Sequence, residues 1–98
     1  MNVVKQGILT VGNNTIFSAF KNKSYKTDSL MFNNSIAYSI DIQRYDSEAR
    51  NTISLCKLDL DAGDTVFDTT KYPLKPQDKL IITSSVAGTT YLIVLTEM

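Results

Sequence analysis

The sequence predicts an all-β protein, an antiparallel β-sandwich of about eight short strands with either jelly-roll or immunoglobulin-like topology. One apolar-polar alternation is unusually clear, and clusters of turn-forming residues recur about every eight to twelve residues along the chain. No window of eleven or more residues repeats apolar side chains at helical spacing without an interrupting glycine, asparagine or proline. We therefore expect strands and turns, and no helix.

The alternation lies in residues 36–44, where large apolar and smaller or polar side chains follow one another with a period of two. This period is typical of a strand with one buried and one solvated face, and it predicts a central strand. The other candidates are rich in β-branched and aromatic residues. They are 8–11, 15–20, 30–32, 52–58, 65–68, 79–84 and 90–96.

Ninety-eight residues predict one β-sandwich domain, 1–98, with a single hydrophobic core. Residues 1–11 are apolar and β-prone, and they serve either as an edge strand or as an assembly arm. The predicted core consists of Ile8, Ile16, Phe20, Leu30, Phe32, Ile36, Tyr38, Ile40, Ile42, Ile53, Leu55, Leu60, Val66, Leu80, Ile82, Ile93 and Leu95.

A short internal echo joins residues 60–66 and 74–80 at an offset of fourteen. Both segments read as a leucine, a turn, an aspartate and the start of a strand. We expect the carboxylates of Asp64 and Asp78 to accept backbone N–H hydrogen bonds at the end of a tight turn, which is a local structural role.

Composition excludes several classes of protein. The longest apolar run, residues 91–95, is far shorter than the roughly 20 residues that span a bilayer, and the N-terminus lacks the pattern of a signal peptide. A single cysteine, Cys56, cannot form an internal disulfide, and its leucine neighbours favour a packing role. We expect neither a membrane anchor nor an exported, disulfide-bonded fold.

The chain contains no histidine, which removes the usual general base and the commonest zinc ligand. The acidic segment 59–64 has a leucine at an alternate position and departs from a calcium loop. A net charge of zero argues against nucleic-acid binding. We expect no enzymatic activity, no catalytic residues, no metal, no cofactor and no small-molecule substrate.

Charge is unevenly distributed along the chain. Residues 1–27 carry four lysines and no acid, whereas residues 41–68 carry seven acids and three basic residues. The two stretches form either complementary docking surfaces or two solvated faces. The candidate interface is Lys21, Lys23, Tyr25 and Lys26, in and beside a predicted exposed loop at 22–29. Tyr25 is either a contact residue there or packs on the rim of the core.

From about residue 30 onward the order of signals resembles a loose family of small β-sandwich proteins in the virions of tailed bacteriophages. The parts are the strand before 33–35, the alternating strand 36–44, the two echo segments, and the strand pair 84–97 around Ala87-Gly88. Gln77 stands where the family pattern has glycine.

The resemblance implies a non-enzymatic structural subunit, present in symmetric copies, that decorates the capsid or connects the neck, tail or fibre. Its partners would be other virion proteins and itself as a homo-oligomer, and its location the virion, assembled in the host cytoplasm. The alternative is a carbohydrate- or host-receptor-binding module that uses loop residues Tyr25, Asn33, Asn34 and Tyr72.

Overall fold

The computed structural model describes residues 2–98, and it confirms an all-β protein made of two antiparallel sheets packed as a sandwich. There are nine strands in this part of the chain, one more than the sequence indicates because β7 has only two residues. They are β1 (Asn2–Ile8), β2 (Gly12–Ser18), β3 (Tyr25–Asn33), β4 (Tyr38–Asp46), β5 (Asn51–Leu60), β6 (Thr65–Asp68), β7 (Pro73–Leu74), β8 (Lys79–Ser84) and β9 (Thr90–Glu97).

The strand order is that of a jelly roll, one of the two predicted topologies. Sheet I runs β1-β9-β3-β6, with β7 paired to the start of β3, and sheet II runs β2-β8-β4-β5. The chain crosses from one sheet to the other at nearly every connection, and the β4–β5 hairpin is an exception. Two sheets built in this way bury one face each against the other.

The core lies between the sheets. The strands of sheet I supply Leu30 and Phe32 from β3 and Ile93 and Leu95 from β9, all fully buried. Sheet II supplies Ile40 and Ile42 from β4, the alternating strand that the sequence predicts to be central. The predicted core residues confirmed as buried are Ile16, Leu30, Phe32, Ile40, Ile42, Leu60, Leu80, Ile82, Ile93 and Leu95, and Tyr38, Leu55 and Val66 pack against them half-buried.

Four predicted core residues are exposed instead, and each miss has a local cause. Ile8 is 65% exposed because it points to the outer face of sheet I at the end of β1, and Ile36 is 49% exposed because β4 begins only after it. Phe20 is 60% exposed because β2 ends at Ser18 after a register shift near Ile16. Ile53 lies on edge strand β5 beyond a second register shift, and it is 38% exposed. A shift of one residue reverses which face a side chain occupies.

The core also contains buried side chains that the sequence did not predict. The strand predicted at residues 8–11 is not observed, because β1 ends at Ile8 and β2 begins only at Gly12. Leu9, directly after β1, is fully buried. Phe17 and Ala19 are buried because the β2 irregularity changes the phase of the alternation. Leu74 is buried in the short strand β7. The N-terminal residues 2–8 pair with β9 at the edge of sheet I.

The two echo segments form the same turn. The N–H of Asp64 donates to Asp61 O over 3.3 Å, and the N–H of Asp78 donates to Lys75 O over 3.0 Å. The Asp78 carboxylate also accepts the N–H of Lys75 at 3.0 Å, as expected. The Asp64 carboxylate accepts no hydrogen bond from residues 2–98, so the expected carboxylate role holds in the second turn alone.

Candidate interaction surface

Of the predicted interface residues, Tyr25 is not at the surface. It begins β3 and is 2% exposed, and its ring packs edge-on against Phe17 with 4.8 Å between centroids. The prediction of an exposed loop at 22–29 is therefore wrong from residue 25 onward. The physical reason is pairing with β7 and β9, which draws Tyr25 onto the core. Of the two alternatives for Tyr25, a contact residue or a side chain packed on the core, the second is observed.

The three lysines of the predicted interface lie at one end of the sandwich. Lys21 is exposed in the turn before β3, and Lys23 Nζ forms a 3.0 Å ion pair with Glu97. The hydrogen bond that Lys23 donates to Glu97 within this ion pair raises the pKa of Lys23. Lys26 lies between two buried residues of β3, so its side chain points away from the core, on the outer face of sheet I.

A fourth lysine joins this group. Lys71 Nζ lies 3.2 Å from the carboxylate of Asp28. The hydroxyl of Thr96 donates to the same carboxylate and is the main cause of the lowered pKa of Asp28. We call Lys21, Lys23, Lys26 and Lys71 the basic end of the molecule.

Acidic side chains lie at the opposite end of β3. Asp61 and Asp64 are exposed in the connection between β5 and β6. This connection lies beside the last residue of β3, because Asn33 Nδ2 donates to Gly63 O over 3.3 Å. We call Asp61 and Asp64 the acidic end.

The charge segregation seen along the sequence is therefore partly kept in space. The basic end also holds acids, since Glu97 and Asp28 pair with its lysines and two acids of the 41–68 stretch lie there in the β4–β5 turn. There Lys75 Nζ lies 3.8 Å from Asp46 and 3.6 Å from Glu48.

The outer face of sheet II is mostly polar, with Ile81 as an apolar side chain among polar ones that hydrogen-bond to one another. Ser39 Oγ donates to Asp59 over 2.5 Å, and Ser54 Oγ donates to Asp41 over 2.6 Å. Gln43 Nε2 also donates to Asp41, over 2.7 Å. The two serine contacts join β4 to β5 and the glutamine contact lies within β4, so polar side chains of this face satisfy one another's hydrogen bonds.

The outer face of sheet I is largely apolar between its charged ends, with Gln6, Ser29 and Thr90 among the apolar side chains. Because Leu30, Phe32, Ile93 and Leu95 point into the core, the side chains between them point outward. Apolar outward residues occur on β1, β9, β3 and β6, since Leu92 is paired with Met31 and Met31 with Phe67. We call this surface the apolar face. It consists of Val4, Ile8, Met31, Phe67, Leu92 and Val94.

Three members of the apolar face are exposed by more than half. Val4, Ile8 and Phe67 are 57%, 65% and 60% exposed, while the other members are half-buried among them. The sequence reading did not find this surface. Its signal was present in two runs, 30–32 and 91–95, which are apolar at every position. Such runs are typical of strands that are covered on both faces.

The four residues of the alternative sugar-binding hypothesis are not brought together. Tyr25 and Asn33 lie at opposite ends of β3. Asn34 is buried and donates to Ile36 O over 3.2 Å. Tyr72 donates its hydroxyl to Asp68 over 2.7 Å, and burial followed by this hydrogen bond raises the pKa of Tyr72.

Residues 2–98 form no pocket at the surface or in the interior. No group of three or more metal-ligating side chains occurs in the described chain. The same residues include no helix long and apolar enough to cross a membrane.

The fold and this surface define a jelly-roll β-sandwich with one mostly polar and one largely apolar outer face. No protein-family model matches the sequence, and no curated protein is significantly similar to it. Among solved structures, a chain of Bacillus endospore appendages, described as a novel family of disulfide-linked pili, has a similar fold. The TM-score is 0.62, with 99% of this chain and 83% of that chain covered, at 11% sequence identity. At this identity the similarity shows the fold alone.

Proposed function

We propose that the chain is a non-enzymatic structural subunit of a tailed-phage virion, acting through subunit contacts as capsid decoration or as a connector at the neck, tail or fibre. The observation that carries a subunit role is the apolar face of sheet I. Its partners are other virion proteins and further copies of the chain.

The exposed apolar side chains make an isolated subunit less favourable in free energy than a subunit whose apolar face is covered. Removing apolar surface from water contributes about 25 cal/mol per Å² of buried area. Single exposed apolar residues are ordinary, but an apolar patch that extends over neighbouring strands of one sheet is typical of an interaction surface. Sheet II shows that this fold can present a mostly polar outer face, so the apolar composition of sheet I is not required by the fold.

The assignment to a virion rests on the pattern of segments from residue 30 to 97, which resembles small virion proteins of tailed phages. The coarser role, a subunit that assembles with others, has a second support, since a chain of similar fold belongs to a pilus. Both are compatible with a protein that works by assembly.

The test is mass spectrometry of purified particles from the source, with the copy number measured against the major capsid protein. A high ratio supports capsid decoration, and a small fixed number that matches a cyclic symmetry supports a connector. Absence of the chain from the particles would overturn the virion assignment.

A matched pair of variants then tests the surface. Met31→Lys places a charge in the centre of the apolar face, and Gln43→Lys places the same charge on the outer face of sheet II. Incorporation should fall for Met31→Lys and persist for Gln43→Lys. Equal incorporation of both variants would argue against the apolar face as the contact surface.

A further inference from the structure

We propose that the apolar face pairs with the apolar face of a second copy of this chain, forming a two-fold dimer. The two-fold axis lies in the contact plane and runs across the strands. This inference rests on the proposed function, since it names the partner of the same surface.

The register of sheet I gives the face a centre. Gln6, Leu92, Met31 and Phe67 form one row across the four strands. On one side of this row lie Val4 and Val94, and on the other side lies Ile8 beside Thr90. The apolar side chains are thus distributed on both sides of a central row.

A two-fold axis along the central row makes the face complementary to itself. Leu92, Met31 and Phe67 of one copy then face the same row of the other copy. The row containing Val4 and Val94 packs on the row containing Ile8. Every contact occurs twice, as a closed dimer requires, and the two sheets can adopt the aligned packing of about −30° that sandwiches use.

The charges at the two ends select this axis over the other possible one. An axis along the strands would stack the basic end on the basic end and the acidic end on the acidic end. Asp28 of the same copy already pairs with Lys71 at 3.2 Å, so Lys26 supplies the remaining positive charge on this part of the face. An axis across the strands brings Lys26 toward Asp61 and Asp64 of the second copy. Since the net charge of the chain is zero, no overall repulsion opposes the pairing of two copies.

The size of the face predicts a weak dimer. Four strands about 4.8 Å apart and about seven residues long give a flat footprint of roughly 400 Å² per copy. Stable complexes bury about 800 Å² per partner. Dimerisation should therefore depend on concentration, with further contacts in the assembled particle adding to it.

The first measurement is sedimentation velocity on the purified chain over a concentration series. The wild-type chain should pass from monomer to dimer. Met31→Lys buries two lysines in the contact and should weaken the dimer about a hundredfold or more. Gln43→Lys is the matched control and should dimerise as wild type. Urea unfolding of both variants shows that neither change has disrupted the fold.

The orientation has its own test. Lys26→Glu and Asp64→Lys should each weaken the dimer by about three- to tenfold, since exposed ion pairs contribute little individually. Lys26 is chosen because Lys71 already pairs with Asp28 of its own copy. The double variant Lys26→Glu/Asp64→Lys restores opposite charges at both ends of the contact and should restore the affinity. An unrestored double variant would overturn the axis across the strands.

The remaining outcomes separate this inference from the proposed function. A wild-type chain that stays monomeric at every concentration overturns the two-fold dimer, even if particles contain the chain. In that case, loss of Met31→Lys from particles would show that the apolar face binds a different virion protein. A dimer that Met31→Lys abolishes, from a source whose particles lack the chain, would overturn the virion assignment and leave the dimer in place.

Discussion

Gly63 and Gln77 adopt the same left-handed backbone conformation, with φ angles of 77° and 68°, in two turns of the same construction. In each turn a buried leucine, Leu60 or Leu74, comes three residues before this position and an aspartate follows it. Pro76 precedes Gln77, as is common in turns that need a positive φ at their third residue. The internal echo in the sequence is therefore a repeated turn.

Gln77→Gly should stabilise the protein slightly, by less than about 1 kcal/mol. A side chain in the left-handed region costs about 1–2 kcal/mol, and the greater freedom of glycine in the unfolded chain offsets part of the gain. The converse control is Gly63→Ala, which should destabilise by about 1–2 kcal/mol although open space surrounds the added carbon. Urea unfolding of both variants measures these changes. A destabilised Gln77→Gly would contradict the conformational account.

Asp78→Ala should destabilise the protein by about 3 kcal/mol. The Asp78 carboxylate is fully buried and accepts hydrogen bonds from the Ser47 N–H at 2.9 Å and the Ser47 hydroxyl at 3.0 Å, so it joins the β4–β5 turn to the β7–β8 turn. The Arg44 guanidinium lies 3.9 Å away and would lose one of its two carboxylate neighbours, keeping Asp46 at 3.8 Å.

The repeated turn provides the control for Asp78. Asp64→Ala changes the equivalent, exposed aspartate, and the free energy of unfolding should stay within about 0.5 kcal/mol of wild type. Equal losses from the two substitutions would show that the turn, and not the buried carboxylate, carries the stability.

Stability should fall in acid partly because of Asp46. A hydrogen bond from the N–H of Ala49, and a further one from the N–H of Glu48, lower the pKa of Asp46 below its usual 3.8. Since the unfolded chain takes up the proton first, this contribution is complete above about pH 3.8 and is lost as the pH falls through the lower folded-state pKa.

Asp46→Asn removes this titration. The variant should therefore show a shallower fall in the free energy of unfolding below about pH 4 than the wild-type chain. Urea unfolding at a series of pH values measures both slopes. Parallel curves would exclude Asp46 as a source of the acid sensitivity.

Ile40→Asp should unfold the domain, whereas Ile36→Asp should leave it folded. Ile40 is 1% exposed in the centre of sheet II, and Ile36 is 49% exposed before β4 begins. An unpaired buried charge costs several kcal/mol against a total stability on the order of 5–15 kcal/mol. Circular dichroism and thermal melting distinguish the two. A folded Ile40→Asp would contradict the assignment of the core.

The regular parts of the fold were predictable because they depend on local patterns. The alternation from Tyr38 to Ile42 and the turn-forming residues between strands identify a sandwich without reference to any distant contact. Prediction failed near Ile16 and Ile53, where a register shift changes the phase of a strand. Such shifts arise from pairing with a neighbouring strand, and the amino-acid pattern of one strand does not contain them.

The sequence by itself determined the all-β class, most of the core and the repeated turn, because strand period and turn chemistry act over a few residues. The tertiary structure decided that Tyr25 is buried and that Met31, Leu92 and Phe67 share one outer face. It also placed lysines and aspartates at opposite ends of that face. The physical reason is that a sandwich covers each sheet on one side only, and an apolar run does not show which of its two faces will be covered.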